Sequence, residues 1–389
     1  MKMQDTASHA QLRARVLDWL AGQGPAMQAL LRKVVDIDSG SRDEAGVGAV
    51  ASALRERLEA AGVAVQCEPV PGYGVLLHGQ VPGAGEGAPI LLMGHMDTVY
   101  PAGTAARRPF RVEGDRAYGP GVADMKSGLV MNVFVAEAFA RCGGLKTPLQ
   151  LLFSCDEEIG SQATRERIMA KARGARAVFN AEPGRVSGNL VTSRKGSMVV
   201  EFEIEGVAAH AGINPAAGAS AIDALARKIL ALHAFTDPAT GTTANVGVVQ
   251  GGVVPNMVAP HARAELDLRF TSDTDPDLLL ARVRAVVEEP SLPHTRGRIT
   301  AARRTLPMRP TPEPLLALYQ RGAKSLGFEV QGEFTGGAAD SGLTASVGAP
   351  TLCATGPVGG HAHTEREYCE LATCVPRAQA VALAILDHP

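Results

Sequence analysis

The chain has 389 residues, 46% of them hydrophobic and 20% charged, with a formal net charge of −2. That length and composition support a large buried core divided between two domains and exclude bulk disorder. The balanced charge excludes nucleic acid or an anionic membrane as the main partner, and no apolar run reaches the roughly 18 residues of a membrane span.

Asp5, Arg13, Arg15 and Asp18 interrupt the apolar stretches of the N-terminal segment, which therefore does not read as a signal peptide. The cysteines are scattered without a Cys-x-x-Cys pair, which fits reduced thiols in a cytoplasmic protein. Helices are expected over about 9–21, 25–37 and 44–61; in the third, Val47, Val50, Leu54 and Leu58 recur at helical spacing and Gly62 follows as a stop. The runs 89–94, 149–154 and 177–181 are almost continuously apolar, as strands buried on both faces are. Helical stretches at about 126–141 and 162–173 separate them. This alternation predicts an α/β domain of three layers with a mostly parallel sheet.

From about residue 194 the period changes to two. Val200, Phe202 and Ile204 alternate with Glu201, Glu203 and Glu205, and Ala262, Ala264, Leu266, Leu268 and Phe270 alternate with charged residues. Two helices, one carrying Ile222, Leu225, Ile229 and Leu232 and one at about 276–289, lie among these strands, and a last strand at about 297–302 follows. The order is that of a ferredoxin-like α+β domain. Residues 194–302 are thus expected as an insert in a first domain of 1–193 and 303–389, with proline-rich 305–314 as the return linker and helices at about 313–325 and 372–387 completing the first domain.

The polar residues that follow the buried strands carry the chemistry. His95-Met96-Asp97 follows the first run, Cys155-Asp156-Glu157-Glu158 the second and Glu182-Pro183 the third. In an open α/β sheet, ligands bind at the carboxyl ends of the strands. Asp124 lies in a glycine-rich loop leading into a helix, and His361 and His363 lie in a loop near the C-terminus. Converging carboxylates need a cation. Imidazole plus carboxylate without thiolate suits Zn²⁺, Co²⁺ or Mn²⁺ better than Ca²⁺, and one bridging carboxylate would let such a set serve two divalent metal ions. Taken singly, each of these residues is more often an ordinary loop residue or a helix cap, Asp124 included; residues 336–341 form a further pocket-loop candidate in which Asp340 could instead cap a helix.

The segments 94–100, 118–124, 156–160, Glu182-Pro183 and His210-Ala211-Gly212 together resemble, in order along the chain, the dinuclear-zinc family of aminoacylase, acetylornithine deacetylase, succinyl-diaminopimelate desuccinylase and glutamate carboxypeptidase. Residues 96–100 and 109–115 most resemble the glutamate carboxypeptidase branch. The resemblance implies that His95 and Glu182 hold one metal, that Glu158 and His363 hold the other, and that Asp124 bridges. It implies Asp97 as the carboxylate orienting His95 and Glu157 as the general base that takes a proton from the attacking water and passes it to the leaving amine. It prefers His363 over His361 because Glu367-Tyr368 follows at the family spacing. The insert becomes a lid and dimerisation domain whose His210 reaches the partner's site in a homodimer and stabilises the oxyanion. Asn256 aligns with a residue near the substrate, and Arg269 would bind a substrate carboxylate; Arg303 and Arg304 compete for that role, and pairing of Arg269 with Asp267 or Glu265 is the structural alternative. The substrate class implied is a peptide or N-acyl amino acid, glutamate being the best single amino-acid product. An N-acyl-amino-acid deacylase of the same mechanism and a non-catalytic metal-binding relative are the alternatives.

Overall fold

The computed structural model describes residues 2–85 and 87–389. They fall into two compact units, one made of the chain up to Ser193 with Arg309–Thr335 and Ala339–Pro389, the other of Arg194–Met308 with Gly336–Ala338.

The first unit is built on an eight-stranded sheet. Strands Leu149–Ser154, Ile90–His95, Ala177–Asn180 and Thr351–Cys353 lie side by side and parallel. Every residue of Ile90–His95 and of Ala177–Asn180 is buried, which is why these segments read as unbroken apolar runs. The flanks are antiparallel: the hairpin of Ala64–Val70 and Gly74–Val81 extends one side, and Leu190–Arg194 joins Thr351–Cys353 on the other. The sheet is therefore mixed, and parallel across its centre. Ala64–Val70 gives little apolar signal because it is an edge strand, mostly exposed or half-buried, and it tolerates Pro69 for the same reason.

Helices form two groups. Lys2–Ala21, Gly24–Val35, Glu44–Ala60, Ser127–Cys142, Glu313–Ser325 and Cys374–Leu386 pack among themselves, and Arg165–Ala172 packs on Ser341–Ser346. With the sheet they make the α/β layering that the sequence predicts. Ser127–Cys142 is buried along almost its whole length, and its one internal acid, Glu137, is held by Arg57 at 2.7 Å and Arg141 at 2.8 Å. Its first turn touches bare backbone: a Cβ on Gly128 would lie 1.9 Å from the carbonyl oxygen of Ala181. Only glycine permits that approach, and it brings the helix against the residue that precedes Glu182.

The second unit is a four-stranded sheet in the order Thr243–Gly251, His261–Phe270, Gly196–Glu205, Arg296–Thr305, antiparallel throughout, with helices Ala221–His233 and Pro276–Glu288. This is the ferredoxin-like order. Phe202, Ile204, Leu266, Phe270, Leu225 and Val283 fill its core. Ile222 is exposed, because the buried face of its helix runs through Ala221, Leu225, Lys228 and Leu232; one position earlier on the helix turns a residue about 100° away. Strand Thr243–Gly251 lies on the edge and is mostly exposed, so its sequence carries no clear period. Met308 pairs back to Arg194 across the ends of this unit. No described helix is long and apolar enough to cross a membrane.

Candidate metal centre

Parallel pairing in register sets His95 opposite Ser154, so the segments after both strands leave the sheet at the same edge. The loop carrying Asp124 joins that edge through Gly121, which takes a left-handed φ of 71°, and the Asp124–Met125 peptide is cis. The loop after Gly359–Gly360 brings in His363, itself at a φ of 63°.

These segments bring together residues that are far apart in the chain. Asp124 lies between two imidazoles: Oδ1 is 3.1 Å from Nε2 of His95 and Oδ2 is 3.4 Å from Nε2 of His363. Oε2 of Glu158 is 3.2 Å from the same His363 nitrogen. Oε1 of Glu182 and Oε2 of Glu157 each lie 3.9 Å from Nε2 of His95. One donor atom from each of His95, Asp124 and Glu158 falls within 4.8 Å of the others. Donor atoms sharing a tetrahedral ion at about 2.0–2.1 Å stand about 3.3 Å apart, close to the spacings on either side of Asp124. Oε1 of Glu158 is buried with no hydrogen-bond partner among the described residues, a cost that a cation would remove. The donor set, imidazole and carboxylate without thiolate, fits a pair of divalent transition-metal ions.

Electrostatics point the same way. Burial pushes Glu157 well above the usual carboxylate range, and the charges of Glu182, Asp340 and Glu158 add to it against the pull of His95. Burial likewise lifts Glu158 to about 7, with His363 opposing. For His95, burial favours the neutral ring, but the hydrogen bonds it donates to Asp124 and Asp97 and the charges of Glu157 and Glu182 raise it well above its ordinary value. Hydrogen bonding to Asp124 and then Glu158 lifts His363 to about 10. Burial resists ionisation of Asp124, yet bonds from His363 and His95 hold it well below the usual range. Without a cation, this edge holds carboxylates and imidazoles in protonation states that water would not favour.

Asp97 ties the site together. Its Oδ1 accepts from Glu157 N and its Oδ2 from Glu158 N, both at 3.1 Å, and Ser41 Oγ donates to Oδ2 at 2.7 Å. His95 Nδ1 is 2.9 Å from the main-chain oxygen of Asp97 and 3.4 Å from its Oδ1. Glu157 is therefore anchored through its backbone while its side chain faces the centre.

Two neighbours carried little sequence signal. Asp340 precedes a short helix without capping it; its carboxylate instead accepts from Ser154 Oγ at 3.1 Å and from Ser161 Oγ, joining both ends of the segment that holds Glu157 and Glu158. Glu367 accepts backbone N–H groups of the Asp124 loop; the only hint of it was its distance from His363. His361 is exposed and packs its ring toward Tyr368, with centroids 5.9 Å apart. Cys155 is buried, and burial raises its thiol pKa, as expected of a packed side chain.

The remaining candidates belong to the second unit. His210 is exposed, and its Nδ1 accepts from Gly212 N at 3.1 Å and Ile213 N at 3.2 Å. Asn256 is brought beside it, since Ala211 N donates to Asn256 O and His210 bridges to Met257. Arg269 is bound in a fork by Asp267 at 2.9 and 3.0 Å. Arg303 is paired with Glu201 at 2.6 Å, and Arg304 with Asp277.

Comparison with known proteins adds to this geometry. The profile described as "Peptidase family M20/M25/M40" matches residues 91–387. The chain is 31% identical to carboxypeptidase G2 of Pseudomonas sp. (strain RS-16), over 97% of this chain and 93% of that protein. It is 30% identical to acetylornithine deacetylase of Myxococcus xanthus, over 68% of this chain and 72% of that protein. Its fold is similar to that of a dinuclear metal-binding peptidase of the M20 family from Bacillus subtilis, with a TM-score of 0.69 at 16% identity over 93% of this chain and 97% of the other. With a full-length relative and a profile spanning most of the sequence, the chain belongs to peptidase family M20/M25/M40 and is a metal-dependent amide hydrolase.

Proposed function

We propose that this chain is a two-metal carboxypeptidase of the glutamate carboxypeptidase type, acting in the cytoplasm as a homodimer on peptides or N-acyl amino acids. The observation that carries the metal assignment is the placement of Asp124, one oxygen toward His95 and the other toward His363. In this reading His95 and Glu182 hold one ion, Glu158 and His363 the second, and Asp124 both; zinc is the first choice, with cobalt or manganese as substitutes. When bound, the ions would polarise the amide carbonyl and make a water easier to deprotonate. Glu157 then takes the proton from the attacking water and returns it to the departing amine. Asp97 fixes the tautomer of His95 and the height of Glu157. His210 of a second copy supplies a donor to the oxyanion, and Asn256, its neighbour, contacts the substrate. Arg269 takes the free carboxylate of the released amino acid, which requires Asp267 to yield its fork.

The similarity to carboxypeptidase G2 along nearly the whole chain supports glutamate as the product. The second reading, an N-acyl-amino-acid deacylase, is favoured by the similarity to acetylornithine deacetylase. A hydrolysis screen decides between them. Peptides and folate-like amides ending in glutamate are compared with N-acetyl and N-succinyl amino acids, each with zinc, cobalt or manganese and after prolonged chelation. Preference for glutamyl amides, lost on chelation and restored by the ion, is the expected result. Preference for a short acyl group establishes the deacylase, and full activity in metal-free protein overturns both.

A further inference from the structure

Glu367 is 1% exposed and belongs to none of the groups assigned to the two ions. Its Oε1 accepts from Ala123 N at 2.8 Å and Asp124 N at 3.0 Å. Its Oε2 accepts from Gly121 N at 3.1 Å and from the hydroxyl of Tyr100 at 2.7 Å. One buried carboxylate thus takes four donors, and three of them are peptide N–H groups of the loop that presents Asp124. A carboxylate so surrounded is fixed in place, because each lone-pair direction is occupied by a donor.

Glu367 and its partners belong to three separate segments of the centre. Tyr100 lies five residues after His95, and Glu367 lies four residues after His363. The Tyr100 hydroxyl is also 2.9 Å from Thr364 O in the His363 loop, and Arg108 covers the Tyr100 ring at 4.8 Å while reaching Thr364 O at 3.4 Å. The segments of His95, Asp124 and His363 therefore meet at Glu367.

We propose that Glu367 is a positioning residue: by holding the main chain of Gly121, Ala123 and Asp124 against the Tyr100 hydroxyl, it sets the carboxylate of Asp124 midway between the two ion sites. The inference rests on the two-ion reading above. Fixing the Asp124 N–H fixes its Cα, and a short aspartate has few other ways to present both oxygens at once. A glutamine at 367 would turn an NH₂ group toward peptide N–H donors, so part of the cradle would be repelled.

The test uses cobalt as a spectroscopic probe. Metal-free parent protein is titrated with Co²⁺ while its visible absorption band, unfolding temperature and steady-state kinetics are followed, and Glu367→Gln is treated identically. The expected result is a folded variant with an altered band, affinity for at least one Co²⁺ reduced about 10- to 100-fold, as losing a partner behind a ligand typically does, and kcat reduced at least about tenfold with KM little changed. Glu137→Gln is the structural control: it removes a buried carboxylate held, among the described residues, by Arg57 and Arg141, and should lower the unfolding temperature without altering band or affinity. Should Glu367→Gln fail to fold, Glu367→Asp, whose carboxylate is drawn back by one methylene, is judged by the same criteria. A band and affinity like the parent's in the folded variant overturn the role of Glu367. A parent that binds fewer than two Co²⁺ overturns the two-ion reading itself, and the inference with it.

Discussion

The carboxylate of Asp97 accepts the peptide N–H of Glu157 at 3.1 Å, so the residue that packs against His95 controls the backbone height of the proposed general base on the neighbouring strand end. Both its oxygens are engaged, the second by Glu158 N and Ser41 Oγ. Asp97→Asn would set an NH₂ group against one of these donors and weaken its hold on His95. Metal affinity should fall by roughly 10- to 100-fold, with a stability loss of about 1–3 kcal/mol. Metal titration followed in parallel with urea unfolding checks this. A variant that binds metal as the parent does would show that Asp97 is only a packing residue.

Glu157→Gln keeps the size and the backbone anchor of the side chain and removes the proton acceptor. Hydrolysis should slow by about 10²–10⁴-fold, the usual value of general acid–base catalysis, while metal content stays that of the parent. If one ion is lost instead, Glu157 and Glu158 have exchanged roles. Elemental analysis beside the kinetics separates the two outcomes.

The parallel centre of the sheet and its strand-end residues were legible because burial on both faces leaves continuous apolar runs, and each polar residue that ends such a run stands out. The alternation of Val200, Phe202 and Ile204 was legible for the complementary reason, a sheet with one wet face. The edge strands at 64–70 and 243–251 were not, since neither has a face that must be apolar along its length. Glu367 and Asp340 were obscure because their partners are backbone N–H groups and serine hydroxyls on other segments, and no local pattern announces a carboxylate bound by main chain. Arg269 shows the opposite limit: the strand's period places it on the wet face, but nothing in that period tells that Asp267 fills its fork.

Asp340 gives a pH prediction. Burial raises it to about 6, and the charge of Asp156 adds to this, against the hydroxyls of Ser161 and Ser154 and the charge of His95. An acid whose folded pKa exceeds its unfolded value of about 3.9 binds protons more tightly when folded. The contribution of Asp340 to the parent's stability therefore falls as pH rises from about 4 to about 6, by at most about 3 kcal/mol, and levels off above. Asp340→Asn does not titrate, so the stability difference between the metal-free proteins should shift toward the variant across that window. Urea midpoints at pH 4.5, 5.5 and 7 measure it. A difference independent of pH would mean the two serines stabilise the ionised form as well as water does.

The homodimer and the role of His210 across subunits can be tested in one experiment. His210 is exposed on the second unit, and its Nδ1 accepts from its own loop, which makes Nε2 the ring nitrogen that carries the proton and can donate. The edge strand of that unit carries Val248 and Val249, exposed at 41% and 53%, and an apolar open edge favours pairing with a copy of itself. His210→Ala and Glu157→Gln subunits, each inactive alone, are mixed and allowed to exchange. If His210 serves the neighbour's site, a mixed dimer has one site with both defects and one with neither, so activity should return toward half the parent value per mixed dimer. If His210 serves its own subunit, every site keeps one defect and the mixture stays inactive. Subunit exchange is verified independently by mass-tagging one variant, and absence of recovery despite mixed dimers rules out the role across subunits. A protein that sediments as a monomer at assay concentration and is still fully active rules out the dimer as the working unit.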